Sequence, residues 1–129
     1  MLKRKYIFLF AIILITLIGV VIILIIKNRA PDVKSFDVSQ YQYYIDTYPS
    51  DKSVGSILDA KDVIVKAENF WIEKYGNGVK KKKPYQVFYD EKNGVWLVKG
   101  SLPPNMDGGV PHILIENSTG DVLAVWHDK

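Results

Sequence analysis

The side chains that could carry out acid–base chemistry are few. The chain has two histidines, His112 and His127, and carboxylates such as Asp107 and Glu68 that could pair with one of them. A histidine beside a carboxylate can transfer protons near neutral pH. Neither histidine belongs to a catalytic motif, because the sequence has no H-E-x-x-H, no G-x-S-x-G and no phosphate-binding glycine loop. We therefore predict that the protein is not an enzyme and has no catalytic residue.

Metal and cofactor sites have even less support in the sequence. Two histidines among scattered acids do not show the ligand spacing of a metal site. The chain also lacks cysteine, which excludes disulfides, thiolate ligands and a thiol nucleophile. We therefore predict no metal ion and no cofactor.

Side chains suited to binding a partner are easier to find. Lys80, Lys81, Lys82 and Lys83 form a lysine run, which can face an acidic partner, contact anionic lipid headgroups or remain a solvated loop. Residues 102–109 form a loop with two prolines and two glycines, and tight interfaces concentrate their binding energy in a few anchor residues. The predicted partner-binding residues are the lysine run and, in this loop, Asn105, Met106 and Asp107.

An apolar run indicates where these residues work. From Tyr6 to Ile26 the chain has 21 residues without a charge, and a helix of that length spans about 31 Å, which matches the hydrocarbon core of a bilayer. The run is longer than the core of a signal peptide, and no A-x-A-type cleavage site follows it. These features favour an uncleaved transmembrane signal anchor over a removed signal peptide.

The charges beside the run bear on its orientation. Lys3, Arg4 and Lys5 precede it and favour a cytoplasmic N-terminus, whereas Lys27 and Arg29 follow it and favour the opposite. We predict a single-pass protein of the cell membrane, with its soluble domain on the outer side, either periplasmic or extracellular.

Net charge separates the anchor from the rest of the chain. The whole chain carries +3, but residues 1–30 hold five cations and no acid. Residues 31–129 hold 12 lysines and no arginine against 14 acids, a net charge of −2. Without arginine, the domain lacks the side chain best suited to reading bases and clamping phosphates. We therefore predict no nucleic-acid partner.

One amphipathic helix is clear in residues 31–129. The spacing of apolar residues predicts a helix over Ala60–Tyr75. Asp59 can cap it, Asp62 places a negative charge in its first turn, and Gly76 ends it. We expect this helix to lie in the core, with an apolar face formed by Ile64, Ala67, Trp71 and Tyr75 and flanked by Val63 and Phe70.

After this helix the apolar period changes from 3.6 to 2, which predicts strands. Turn signals divide the rest of the chain into two hairpins, with strands over residues 85–89, 95–99, 110–116 and 121–127. A helix followed by antiparallel strands predicts an α+β fold. In it, one main helix packs on a curved, cone-like antiparallel sheet of about four strands.

The segment between the anchor and this helix is rich in tyrosine. Tyr41, Tyr44, Ile45 and Tyr48 have helical spacing, which fits either a short helix packed on the domain or a binding surface. The predicted boundaries are a basic tail over residues 1–5, the anchor over 6–26, a stalk over 27–54 and the folded domain over 55–129.

Several short motifs in residues 55–129 resemble one bacterial family. They are Lys83-Pro84-Tyr85, a W-x-V-x-G-x-L-P pattern that begins at Trp96, Gly108-Gly109-Val110, a T-G-D-V-L stretch that begins at Thr119, and Trp126-His127. In order and spacing they are similar to immunity proteins of polymorphic toxin systems, which are assigned a nuclear-transport-factor-2-like, cone-shaped fold. The anchor departs from the family pattern, and residues 33–53 have no counterpart in it.

The resemblance also implies a function. It implies an inhibitor that binds and neutralises a cognate toxin by surface complementarity and has no enzymatic activity. With the anchor, it predicts a membrane-anchored bacterial immunity protein that is monomeric, with a protein toxin and the membrane as its partners. The alternative is a non-catalytic envelope accessory or ligand-binding domain tethered to the membrane.

Overall fold

The computed structural model describes residues 2–129 and divides into two compact units after Ala30. The first unit contains helix α1, Leu2–Lys27, in which the predicted anchor lies. Over Lys3–Lys27 this helix is long and apolar enough to cross a membrane, and its apolar side chains are exposed. Of the predicted basic tail, Met1 lies outside the described residues.

The second unit is built around one five-stranded sheet with the strand order β1-β2-β3-β4-β5. Strand β1 pairs parallel with β2, and every later pair is antiparallel. This confirms the predicted α+β fold, with five strands in place of about four. The strand missed by the sequence analysis is β1, because three exposed residues show no alternation of apolar and polar side chains. The strands are Val33–Ser35, Gln86–Asp90, Val95–Lys99, Pro111–Glu116 and Val122–His127.

One face of the sheet is covered by the tyrosine-rich segment. A 3₁₀ helix, Val38–Tyr41, leads into helix α2, Gln42–Thr47. Both helices pack on this face, where the Tyr44 and Trp126 rings stack with their centroids 4.2 Å apart. The packing interpretation is therefore confirmed for Tyr41, Tyr44 and Ile45. The compact unit begins at Pro31, while the predicted functional boundary at residue 55 stays a prediction.

The opposite face is covered by helix α3, Ala60–Tyr75, whose bounds are those predicted. The Asp59 carboxylate accepts a hydrogen bond from the Asp62 backbone N–H at 2.8 Å, and Gly76 ends the helix with φ 91°. The apolar stripe of α3 meets the middle of the sheet, so helix and sheet share one core. The buried residues of α3 are Val63, Ala67 and Trp71.

The strand register brings distant parts of the sequence to the same end of the sheet. At one end Lys99 pairs with both Gln86 and His112, on its two neighbouring strands. At the other end Val95 pairs with both Asp90 and Glu116. The two ends therefore carry different side chains.

Candidate interaction surface

The lysine run lies directly before β2. A second 3₁₀ helix, Asn77–Lys82, contains its first three residues, and these follow the end of α3. Lys80 and Lys81 are exposed, and neither has an ion-pair partner among the described residues. Lys83 differs, because its ammonium lies 3.1 Å from the Glu68 carboxylate.

A backbone contact joins the lysine run to the loop of residues 102–109. The Ser101 N–H donates a hydrogen bond to the Lys82 carbonyl oxygen at 2.7 Å. Gly100 permits this close approach, since a Cβ there would lie 2.9 Å from side-chain atoms of both Lys82 and Pro111. The run and the start of the loop are therefore neighbours, although about 20 residues separate them in the sequence.

The loop itself is held at its far end by the C-terminal segment. The Val110 N–H donates a hydrogen bond to the Asp128 carboxylate at 2.6 Å, and a Cβ on Gly109 would lie 1.4 Å from the Asp128 carbonyl oxygen. Only a glycine fits at position 109, which explains the second glycine of the Gly108-Gly109 motif. Between these two attachments, the predicted partner-binding residues Asn105, Met106 and Asp107 are exposed.

Charged side chains are partly segregated between the two ends of the sheet. Lysines outnumber acids at one end, and acids outnumber lysines at the other, where Lys66 and Lys92 also lie. We use the name lysine end for the end of the sheet that carries the lysine run, loop 102–109 and Lys99. Lys99 and Lys129 line a hollow of about 270 Å³ at this end. The C-terminal turn of α3 lies at this end too, because the Tyr75 and His127 rings are 5.6 Å apart. We call the opposite end the carboxylate end, and its acids are Asp37, Asp59, Asp62, Asp90, Glu91, Glu116 and Asp121.

The predicted partner-binding residues therefore lie at one end of the domain, and Lys99 and Lys129 join them there. These two lysines were not predicted from the sequence, because they lie far from the run and belong to no motif. The pairing of strand 85–89 with strand 95–99 was the signal that could have placed Lys99 beside Gln86, near the run.

The histidines occupy structural positions. The His112 ring stacks on the Trp126 ring at 4.9 Å, and its Nδ1 lies 3.0 Å from the Val110 carbonyl oxygen. Burial lowers the pKa of His112, so its ring is neutral near pH 7. The His127 Nδ1 lies 2.8 Å from the Asp128 carbonyl oxygen. Among the described residues, no hydrogen bond joins either histidine to a carboxylate.

The carboxylate considered for acid–base chemistry, Glu68, lies on the other side of the sheet from His112. Its carboxylate accepts a hydrogen bond from the Tyr85 hydroxyl at 2.6 Å, which lowers the pKa of Glu68. Burial, together with this carboxylate, raises the pKa of Tyr85. The group therefore consists of an ionised carboxylate, a neutral phenol and the Lys83 ammonium. It fastens α3 to the chain that precedes β2.

The comparisons with known proteins extend this description. No curated protein and no solved structure matches the chain. Residues 63–129 match the family model described as NTF2 fold immunity protein. The match begins within α3, contains strands β2 to β5 and covers just over half of the chain. This confirms the resemblance inferred from the sequence: the chain belongs to the family of NTF2-fold immunity proteins.

Proposed function

We propose that this protein is a membrane-anchored immunity protein that binds and neutralises a cognate bacterial toxin by surface complementarity. The observation that carries the proposal is the family match over residues 63–129. An immunity protein protects its own cell, so the partner proposed here is a toxin of a polymorphic toxin system. The proposed inhibitor is a monomer.

The contacts of the titratable side chains favour inhibition by binding. General acid–base catalysis requires a proton donor or acceptor within hydrogen-bond reach of the reacting group. In this domain His112 is stacked against Trp126 and Glu68 is bonded to Tyr85 and Lys83. Since these side chains are already engaged in packing, we propose that the surface of the domain, rather than a catalytic centre, acts on the toxin.

The N-terminal helix supports the proposed anchor. Its apolar length fits a bilayer, and we propose that residues 6–26 cross the membrane once with the domain on the outer side. In the proposed organisation, residues 1–5 form a basic tail, and residues 55–129 form the immunity domain. Residues 27–54 lead from the anchor into that domain and include β1 and α2, which belong to the folded unit. The immunity domain would then bind the toxin at the membrane surface.

Two surfaces of the domain are candidates for toxin contact. The first is the lysine run together with Asn105, Met106 and Asp107, all at the lysine end. The carboxylate end is the second candidate, because Leu58 lies there beside Asp59 and Asp62 with its side chain 84% exposed. An exposed apolar residue with charges around it is typical of a binding anchor.

Toxin identification and protection can be tested together. The full chain, tagged at its C-terminus, is used to capture proteins from native membranes, and each captured candidate is then expressed with the immunity protein. Cells should survive with the parent chain and also with His112→Ala or His127→Ala, because neither histidine is proposed to act chemically. Survival is measured as colony counts on induction of the toxin.

The controls for this assay are folding and toxin binding. Loss of protection by one folded histidine variant that still binds the toxin would contradict inhibition by binding and favour an enzyme. Capture of envelope proteins alone, with no candidate against which the chain protects, would favour an envelope accessory domain.

A further inference from the structure

The position where the chain joins the sheet has a geometric consequence for an anchored protein. Residues 28–32 are the only ones between α1 and β1, and five extended residues span at most about 18 Å. A folded unit of 99 residues is about 30 Å across by the usual size relation. The short connection therefore keeps the end at which the chain joins the sheet within about 18 Å of the bilayer surface, whereas the opposite end can lie farther away.

That end is the lysine end. Because β1 is parallel to β2, with Val33 opposite Val87 and Ser35 opposite Tyr89, the chain joins the sheet where β2 begins. The lysine run immediately precedes β2, and Lys99 lies opposite Gln86 in the first pair of the β2–β3 ladder. The tether and the lysines thus share one end of the domain.

The charges at this end suit an anionic surface. Lys80 and Lys81 are exposed and have no ion-pair partner among the described residues, and each lysine close to an anionic bilayer increases binding about fivefold. The acids nearby are Asp32, Glu68, Asp107 and Asp128. Glu68 is paired with Lys83 and bonded to Tyr85, and Asp128 is bonded to the backbone of loop 102–109.

Exposed apolar side chains accompany these charges. Leu102 and Met106, in loop 102–109, are 43% and 46% exposed. Apolar residues next to lysines are typical of segments that lie in the headgroup region, where the apolar side chains reach toward the acyl chains. The lysine end therefore offers both contacts that a lipid surface uses.

We propose that the lysine end lies on the bilayer and contacts anionic phospholipid headgroups through Lys80 and Lys81. This inference rests on the proposed anchor and goes beyond the proposed function. It assigns the lysine run to lipid and leaves the carboxylate end, with Leu58, to face the toxin.

The test uses the full chain reconstituted in vesicles. Since the chain has no cysteine, Asn77→Cys at the lysine end and Ser118→Cys at the carboxylate end each give one site for a fluorescent label. The vesicles contain phosphatidylcholine, with or without one quarter phosphatidylglycerol, and a small amount of lipid with a nitroxide on its headgroup. The label at residue 77 should be quenched more strongly when phosphatidylglycerol is present, and the label at residue 118 should stay weakly quenched in both.

Charge variants show whether the lysines cause this difference. Lys80→Glu with Lys81→Glu should lower the ratio of docked to undocked domain at least about 25-fold in the anionic vesicles. Lys80→Gln with Lys81→Gln should give a smaller loss. The matched control is Lys92→Glu, an exposed lysine in the turn at the carboxylate end, which should leave quenching unchanged. Tryptophan emission reports whether each variant is folded.

Three outcomes would overturn the inference. In the first, quenching at residue 77 does not respond to phosphatidylglycerol or to the charge variants. In the second, the variants keep their quenching but lose protection against the toxin, which would assign the lysine end to the toxin. The third concerns the anchor alone. If the chain does not rise with neutral vesicles in a density gradient, its helix α1 is not inserted in the bilayer. If the chain rises with the vesicles but its quenching does not depend on the lipid, the anchor is supported and only the docking of the lysine end is contradicted.

Discussion

Trp71→Ala is expected to lower the free energy of unfolding of the domain by about 3–5 kcal/mol. The Trp71 side chain is 0% exposed between α3 and the sheet. Its ring meets the Tyr85 ring edge to face at 5.2 Å, and its indole N–H lies 3.4 Å from the His112 carbonyl oxygen. Alanine would leave a cavity that the rigid sheet cannot fill. Because small domains are stable by about 5–15 kcal/mol, this loss is a large fraction of the total.

Urea unfolding followed by tryptophan fluorescence measures this effect. All three tryptophans lie in residues 31–129 and none in α1, so the signal reports the domain even in the full chain held in detergent. The matched control is Val65→Ala on the same helix, where the side chain is 57% exposed and the expected change is below about 0.5 kcal/mol. Equal stability of Trp71→Ala and the parent would contradict the packing of α3 on the sheet.

Gly120→Ala is expected to be the second most damaging substitution. Gly120 has φ 74°, and a Cβ on it would lie 1.9 Å from the Gly55 carbonyl oxygen. The backbone conformation alone costs an L residue about 1–3 kcal/mol. The clash adds to this cost, since the chain before α3 would have to move. That movement would disturb the hydrogen bond of 2.9 Å from the Val54 N–H to the Gly120 carbonyl oxygen.

A matched glycine gives the control for this prediction. Gly78 has no heavy atom within 4 Å of a built Cβ and no positive φ, so Gly78→Ala should change the free energy of unfolding by about 0.5 kcal/mol or less. The same urea titration compares the two variants. Equal effects of both substitutions would mean that residues 54–57 do not pack against the turn that contains Gly120.

Helix α3 shows what local sequence patterns can predict. Its bounds followed from the cap at Asp59, the apolar spacing and the glycine after Tyr75, all of which act within a few residues. The predicted strands agree with β2 to β5 to within one residue at each boundary, because each hairpin is also local. Pro111, predicted at the start or edge of its strand, is the first residue of β4.

Strand β1 shows where such patterns fail. It pairs with β2 across more than 50 residues of sequence, and its three exposed residues carry no apolar pattern. Parallel pairing of this kind is specified by the packed domain rather than by a local turn. The same limit applied to the tyrosine-rich segment, for which helical spacing alone could not distinguish packing on Trp126 from a binding surface.

The candidate surface was predicted in part. The sequence identified the lysine run and the loop as separate features, and the strand register placed both at the end of the sheet where the chain joins it. The segregation of charge could not be predicted from a net charge of −2, because it depends on which strand ends are neighbours. This segregation is the basis for the proposal that one end of the domain faces lipid and the other faces the toxin.

The claim that the protein neutralises a toxin by binding is tested most directly by stoichiometry. A fixed amount of the captured toxin, at a concentration far above the dissociation constant of the complex, is titrated with the purified immunity protein while toxin activity is measured. An inhibitor that acts by binding is consumed in the complex, so we predict that toxin activity falls linearly and reaches zero at about one equivalent. Complete and lasting inactivation of the toxin by a small fraction of an equivalent would contradict the account, because only a catalyst can act on many toxin molecules in turn.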